Sequence, residues 1–165
     1  MRHRRPSMKK SLLAITSALA MTIALSAYAD EIVGQASVID GDTIEIHGQR
    51  IRFHGIDAPE SSQLCEQDGR EYRCGQKASL ALADKIGRAI VRCEKRATDR
   101  YKRVIGVCFS SNENLNRWMV RSGWAVAYRR YSKDYVRDED FAREGKVGIW
   151  SGAFEMPFNW RRRSQ

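Results

Sequence analysis

From position 32 to 56, apolar residues recur at alternate positions and turn residues break the run twice. Ile32 to Ile39 opens with β-branched side chains and ends at Asp40-Gly41-Asp42, a tight-turn signature. Thr43-Ile44-Glu45-Ile46-His47 alternates cleanly, with Ile44 and Ile46 on one face. Gly48-Gln49 turns the chain again, and Arg50 to Ile56 forms a third strand that Pro59 stops. These strands read as a β-meander. Cys65 to Gly75 is polar and loop-like. The period then changes, because Ala78, Leu82 and Ile86 fall on one face of a helix. Ile90 to Glu94 and Val104 to Phe109 are apolar-rich strands joined by the polar Lys95–Lys102 segment, and they predict a hairpin. Leu115, Trp118 and Met119 mark a second helix that Gly123 ends, and Asp138 to Glu144 a third. The order predicts an α+β chain, mainly β. Its expected form is a five-stranded OB-type barrel with three helices, an architecture that commonly binds oligonucleotides.

The N-terminus breaks this pattern. Arg2, Arg4, Arg5, Lys9 and Lys10 precede an uncharged run from Leu12 to Ala27, and Ala27-Tyr28-Ala29 supplies small residues where a signal peptidase reads. Residues 1–29 are therefore expected to be a cleaved signal peptide and 30–165 the folded domain. The alternative is an uncleaved anchor, for which the run is short against a span of about 20 residues. Cleavage changes the charge: the chain has 29 Lys+Arg, 20 Asp+Glu and a net +9, but five of the bases and no acid lie in the leader. The remainder carries +4, compatible with a polyanionic partner without demanding one.

All four cysteines, Cys65, Cys74, Cys93 and Cys108, follow the leader, and an even count in an exported chain suggests two disulfides. Zinc is the alternative, but no pair has C-x-x-C spacing and neither His47 nor His54 sits near one. Cys93 and Cys108 lie on the two arms of the predicted hairpin. An uninterrupted register centred between Arg100 and Tyr101 makes them face each other, which leaves Cys65 for Cys74.

Two short segments hold charge in unusual places. Asp42 shares the parity of Ile44 and Ile46, so it points inward at the barrel mouth, where a carboxylate needs a compensating cation. The plainer reading is that Asp40 and Asp42 only shape the turn. Arg52 to Glu60 adds two carboxylates and a guanidinium. Oxygen donors such as Asp42 and Asp57 suit Ca²⁺ or Mg²⁺ rather than zinc. Glu60 can orient a water, and Arg52 can hold a phosphoryl oxygen bidentately. Arg52 and Asp57 have opposite parity, so both reach one site only if the chain bends between them. Gly55 and Pro59 make that bend easy.

Val38-Ile39-Asp40-Gly41-Asp42-Thr43-Ile44, Arg52 through Ile56-Asp57-Ala58-Pro59-Glu60, and Asp99-Arg100-Tyr101-Lys102-Arg103 together resemble the three signatures of the staphylococcal (micrococcal) nuclease family. Asn116 with Val120 to Ala125 resembles its second-helix region, and Gly148-Ile149-Trp150 its C-terminal end. The match covers essentially all of residues 32–160. The resemblance implies calcium-dependent, sugar-nonspecific cleavage within DNA and RNA chains, leaving 3′-phosphorylated products. It assigns Ca²⁺ to Asp42, Asp57 and the Ala58 carbonyl, the phosphate to Arg52 and Arg103, and the attacking water to Glu60. Ala58 stands where the best-known member has Thr, which matters little if only its carbonyl binds. Lys102 replaces a glycine, which predicts a different turn and leaves the aim of Arg103 open. Tyr128 and Tyr131 fall near two family tyrosines that flank the nucleotide, although Arg129 occupies one aligned position. Both are expected substrate contacts.

His54 and the four tryptophans read more simply as packing residues, and Arg161-Arg162-Arg163 as a solvated tail. The expectation is thus a periplasmic or secreted monomer with no stable protein partner and with DNA and RNA as substrates. The rivals are a catalytically inactive OB-fold module that binds nucleic acid or acts as a scaffold, and a phosphodiesterase for a small anionic ester. An inactive relative usually loses part of the Asp, Arg and Glu set, and here the set is complete.

Overall fold

One bent segment supplies both edges of the main sheet. The computed structural model describes residues 31–164, so the expected leader lies outside the described residues. The chain begins with β1 (Glu31–Gln35) and β2 (Ser37–Asp40), separated only by Ala36. It continues through β3 (Thr43–Ile46), β4 (Gln49–Phe53) and β5 (Ile56–Asp57). Next come β6 (Leu64–Gln67), β7 (Arg70–Arg73) and α1 (Cys74–Ile86). The hairpin β8 (Ile90–Thr98) and β9 (Val104–Ser110) leads into β10 (Glu113–Asn114) and α2 (Leu115–Arg121). The chain ends through β11 (Val126–Ala127), α3 (Val136–Glu144), a 3₁₀ turn (Gly148–Ser151) and α4 (Pro157–Arg163).

The sheet runs β1-β8-β9-β4-β3-β2, and β4 pairs with β9 in parallel. Its two ends are contiguous in sequence, so the sheet curls back on itself. Counted as one bent strand, β1 and β2 join β3, β4, β8 and β9 to make the five strands that the alternation predicts. The inward faces carry Ile44, Ile46, Ile51, Phe53 and Val91, all essentially inaccessible. Burying each such side chain contributes roughly 1.5–3 kcal/mol. Leu82 from α1, and Leu115 and Met119 from α2, close the core. Asn116 is buried but fully used: its Oδ1 accepts from the Cys108 amide at 3.0 Å, and its Nδ2 donates to the carbonyls of His54 and Gly106.

The structure corrects four expectations. The segment from Cys65 to Gly75 is not a loop but the β6–β7 hairpin followed by the start of α1. Its turn is Asp68-Gly69, with φ of 52° and 73°, a hairpin signal that the polarity of the segment masks. There are four α-helices among the described residues rather than three, and α4 contains the arginines read as a tail. The first strand is interrupted at Ala36. The β8–β9 hairpin carries a register shift between Lys95 and Ala97.

That shift lies on the turn side of the cysteines, so Cys93 still faces Cys108, with Cα atoms 4.0 Å apart in the disulfide. Cys65 pairs with Cys74. Peptide mapping of unreduced protein should return these two pairs. The Cys93–Cys108 bridge closes a separation of 15 residues. A loop of that length is worth about 3 kcal/mol in the chain-entropy model, so reduction should lower the thermal midpoint by on the order of 10 °C.

Candidate active site

The bend between Arg52 and Asp57 is present. β4 stops at Phe53, Gly55 takes a left-handed φ of 73°, and β5 leaves the main sheet to pair with β11. Glycine adopts that φ at little cost, and the turn reverses the parity that separated Arg52 from Asp57. Arg52 then spans two carboxylates: Nη1 donates to Asp42 Oδ1 at 2.7 Å and Nη2 to Asp57 Oδ1 at 2.8 Å. Asp42 is 2% exposed and Asp57 1%. Asp42 also accepts from the Ala58 amide at 3.0 Å and the Thr43 hydroxyl at 3.1 Å. Asp40 does shape the turn, accepting the Asp42 amide through its side chain. Asp40 therefore serves the turn, while the buried Asp42 carboxylate is compensated by Arg52.

Electrostatics at this cluster is governed by burial. Burial pushes the Asp57 carboxyl up to about 6, the nearby charge of Asp42 adds to this, and Arg161 and Arg52 oppose it. Asp40 is likewise pushed up to about 6 by burial and by Asp42. For Arg52, burial works against the charge, but Asp42 and Asp57 outweigh it and hold the guanidinium more firmly protonated. The two deeply buried carboxylates of Asp42 and Asp57 offer oxygen donors, the kind a hard divalent cation takes. They do not fit zinc. Both disulfides are closed, so no thiolate is free to bind it.

Glu60 is held from three sides. Its backbone packs so closely on α1 that a Cβ at Gly75 would lie 1.7 Å from its carbonyl oxygen. Gln63 Oε1 accepts its amide at 3.3 Å. Its carboxylate meets Arg161, whose Nη1 lies 2.7 Å from Oε1, while Arg161 Nη2 sits 2.9 Å from the Asp57 carboxylate. Arg161 is the site residue that sequence reasoning missed. Pro157 at the first helical position marks α4, but no local signal says where that helix docks.

Arg103 does not join the carboxylate pair directly. Its Nε donates to Asp99 Oδ2 at 2.8 Å, and the Asp99 side chain also accepts the Tyr101 and Arg103 amides. Slight burial pushes Asp99 up, but the hydrogen bonds from Arg103 and Tyr101 prevail and hold it below the usual range. Lys102 has a left-handed φ of 64°, a conformation that a glycine takes freely and a lysine does not. Arg103 lines the same cavity of about 660 Å³ as Arg52, Glu60, Tyr128, Tyr131 and Arg161. Tyr128 and Tyr131 meet edge to face at 4.9 Å, with Tyr131 63% exposed at the rim. Arg129 turns away and pairs with the buried Glu139, which also accepts the Ala127 amide. His54 lines the cavity, and Trp118 and Trp124 pack against the core.

Residues 50–152 match the family model described as Staphylococcal nuclease homologue. The chain belongs to the staphylococcal nuclease family. It is 41% identical over 145 residues to the succinoglycan biosynthesis protein ExoI of Rhizobium meliloti, covering 86% of this chain and 75% of that one. It is 32% identical to a micrococcal nuclease of Shigella flexneri, covering 94% of each chain. An endonuclease of Haemophilus influenzae is 32% identical, over 78% of this chain and 71% of its own. The staphylococcal nuclease match takes in Arg52, Asp57, Glu60 and Arg103 but stops before α4, so Arg161 lies outside it.

Proposed function

We propose that this protein is a calcium-dependent, sugar-nonspecific endonuclease that hydrolyses phosphodiester bonds of DNA and RNA to 3′-phosphorylated products. One observation carries the reading: Arg52 bridges two buried carboxylates at the edge of a cavity that also presents Arg103, Glu60 and two tyrosines. Relatives named as nucleases support it. Asp42, Asp57 and the Ala58 carbonyl would hold the calcium ion, which when bound would supply positive charge to an anionic phosphodiester. Arg52 and Arg103 hold phosphoryl oxygens as negative charge builds, and arginine suits this because its fork spans two oxygens and stays protonated. Glu60 orients the water and accepts its proton. Tyr128 and Tyr131 flank the nucleotide. The full set of charged groups weighs against an inactive OB-fold binding module. We further propose that residues 1–29 are removed on export and that the enzyme works as a periplasmic or secreted monomer.

The test is incubation of purified protein with plasmid DNA and with RNA in calcium, followed by end-group analysis. Internal cleavage of both polymers with terminal 3′-phosphates is expected. Intact plasmid would overturn the nuclease reading, and 5′-phosphate ends its regiochemistry.

A further inference from the structure

Helix α4 is docked onto the catalytic side of the molecule. The Glu66 and Ala153 backbones exchange hydrogen bonds at 2.8 and 3.0 Å, tying the segment before α4 to β6. The buried Gln63 donates to the Glu155 carbonyl at 2.7 Å while its own Oε1 accepts the Glu60 amide. Pro157 is buried at the helix start. The loop that carries Glu60 and the segment that carries Arg161 are thus joined through Gln63, 92 residues apart in sequence from Glu155. Arg161 is only 27% exposed and spends its fork on two different carboxylates, Glu60 and Asp57. Its neighbour Arg163 points elsewhere, pairing with Glu155 at the surface.

We infer that Arg161 is a positioning residue of the active site, tying the water-orienting Glu60 to the metal-holding Asp57 so that the two carboxylates keep a set separation. This rests on the nuclease reading above. The argument is geometric and electrostatic. A free glutamate samples several rotamers, and a guanidinium anchored by a docked helix selects one. The same cation beside Asp57 also opposes a second cation there, so Arg161 weakens calcium binding while it improves the aim of Glu60. A residue that merely props up the fold has no such opposed effects.

The experiment compares wild type, Arg161→Gln, Arg161→Lys and Arg163→Gln. It measures single-turnover cleavage at saturating calcium, calcium binding by titration calorimetry without nucleic acid, and the thermal midpoint. Arg161→Gln should cleave roughly 10–100-fold more slowly, the usual effect of losing a group that orients a ligand, yet bind calcium severalfold more tightly. Arg161→Lys keeps the charge but not the fork, so its calcium affinity should return toward wild type while its rate stays low. Arg163→Gln should match wild type in both. Wild-type or faster cleavage by Arg161→Gln overturns the inference. So does a joint fall in rate, calcium affinity and thermal midpoint, which marks a structural prop. A wild-type protein that cleaves nothing sinks the nuclease reading itself, whereas a cleaving wild type with an indifferent Arg161→Gln sinks only this inference.

Discussion

Chelation of calcium is expected to abolish cleavage, and zinc is not expected to restore it. A phosphodiester is already anionic, so water attacks it slowly until that charge is neutralised. The chain provides Arg52 and Arg103 for this, but Arg52 is engaged with Asp42 and Asp57, and Arg103 with Asp99. Arg161 is likewise engaged with Asp57 and Glu60, so without a divalent ion the arginines are offset by carboxylates and little positive charge is left for the phosphate. The proposed donors would be few, two carboxylates and a backbone carbonyl, against the six to eight oxygens calcium usually takes. Such a sparse set implies weak binding, on the order of 10⁻⁴–10⁻³ M, so activity should rise with calcium across that range. Zinc prefers a tetrahedral set with nitrogen or sulfur donors, and here every cysteine is spent in a disulfide. A calcium titration of plasmid cleavage followed by excess chelator measures this. Undiminished cutting in chelator would remove the metal from the mechanism.

Substitution of Arg52 should have the largest effect of any single change, because it acts on both chemistry and stability. Arg52→Lys should lower turnover by roughly a hundredfold or more, the scale for losing one preorganised donor to a developing oxyanion. Lysine keeps the charge but cannot hold Asp42 and Asp57 at once. Glu60→Gln and Arg103→Lys should cause losses of the same order with little change in stability, since neither side chain bridges buried charges. Sequence position alone puts all three at a barrel rim, where folding should tolerate the change. The burial of Asp42 and Asp57 alters that expectation for Arg52. Arg52→Ala leaves Asp42 without an ion-pair partner, and removing one member of a buried pair costs about 3–5 kcal/mol. The loss should be greatest in chelator and smaller in calcium, which would supply the missing charge. Thermal unfolding of Arg52→Ala under both conditions, beside single-turnover rates for Arg52→Lys, checks the two halves. Near-normal turnover by Arg52→Lys would mean that this arginine holds the carboxylates and nothing more.

The legible part of this protein was local. Alternation through Ile44, Ile46, Ile51 and Phe53 marked the inward faces because a strand places every second side chain on one side. The Cys93–Cys108 pair followed from hairpin symmetry, since the bulge between Lys95 and Ala97 falls on the turn side of both. Asp42, Arg52, Asp57 and Glu60 stood out as candidates because they lie in two short segments whose charges a buried strand end does not ordinarily tolerate. The β6–β7 hairpin was missed because its polar strands bury little and so lack an alternating signal. Asp68-Gly69 was the remaining clue.

What only the tertiary structure decided depends on contacts between distant parts of the chain. Composition cannot say whether three arginines at a C-terminus are solvated or folded against a cleft. The Glu66–Ala153 pairing and the Gln63–Glu155 hydrogen bond determine that here. Parity alone set Arg52 and Asp57 on opposite faces, and the left-handed turn at Gly55 brought them within 2.8 Å. The turn at Lys102 likewise takes a left-handed form without glycine, because the hairpin and the Asp99 side chain around it outweigh the local preference of one residue. Strand and helix periods come from backbone geometry, which each residue type biases directly. The docking of α4 and the meeting of Arg161 with Glu60 arise from shape and charge across the whole domain, and no short stretch of sequence encodes them.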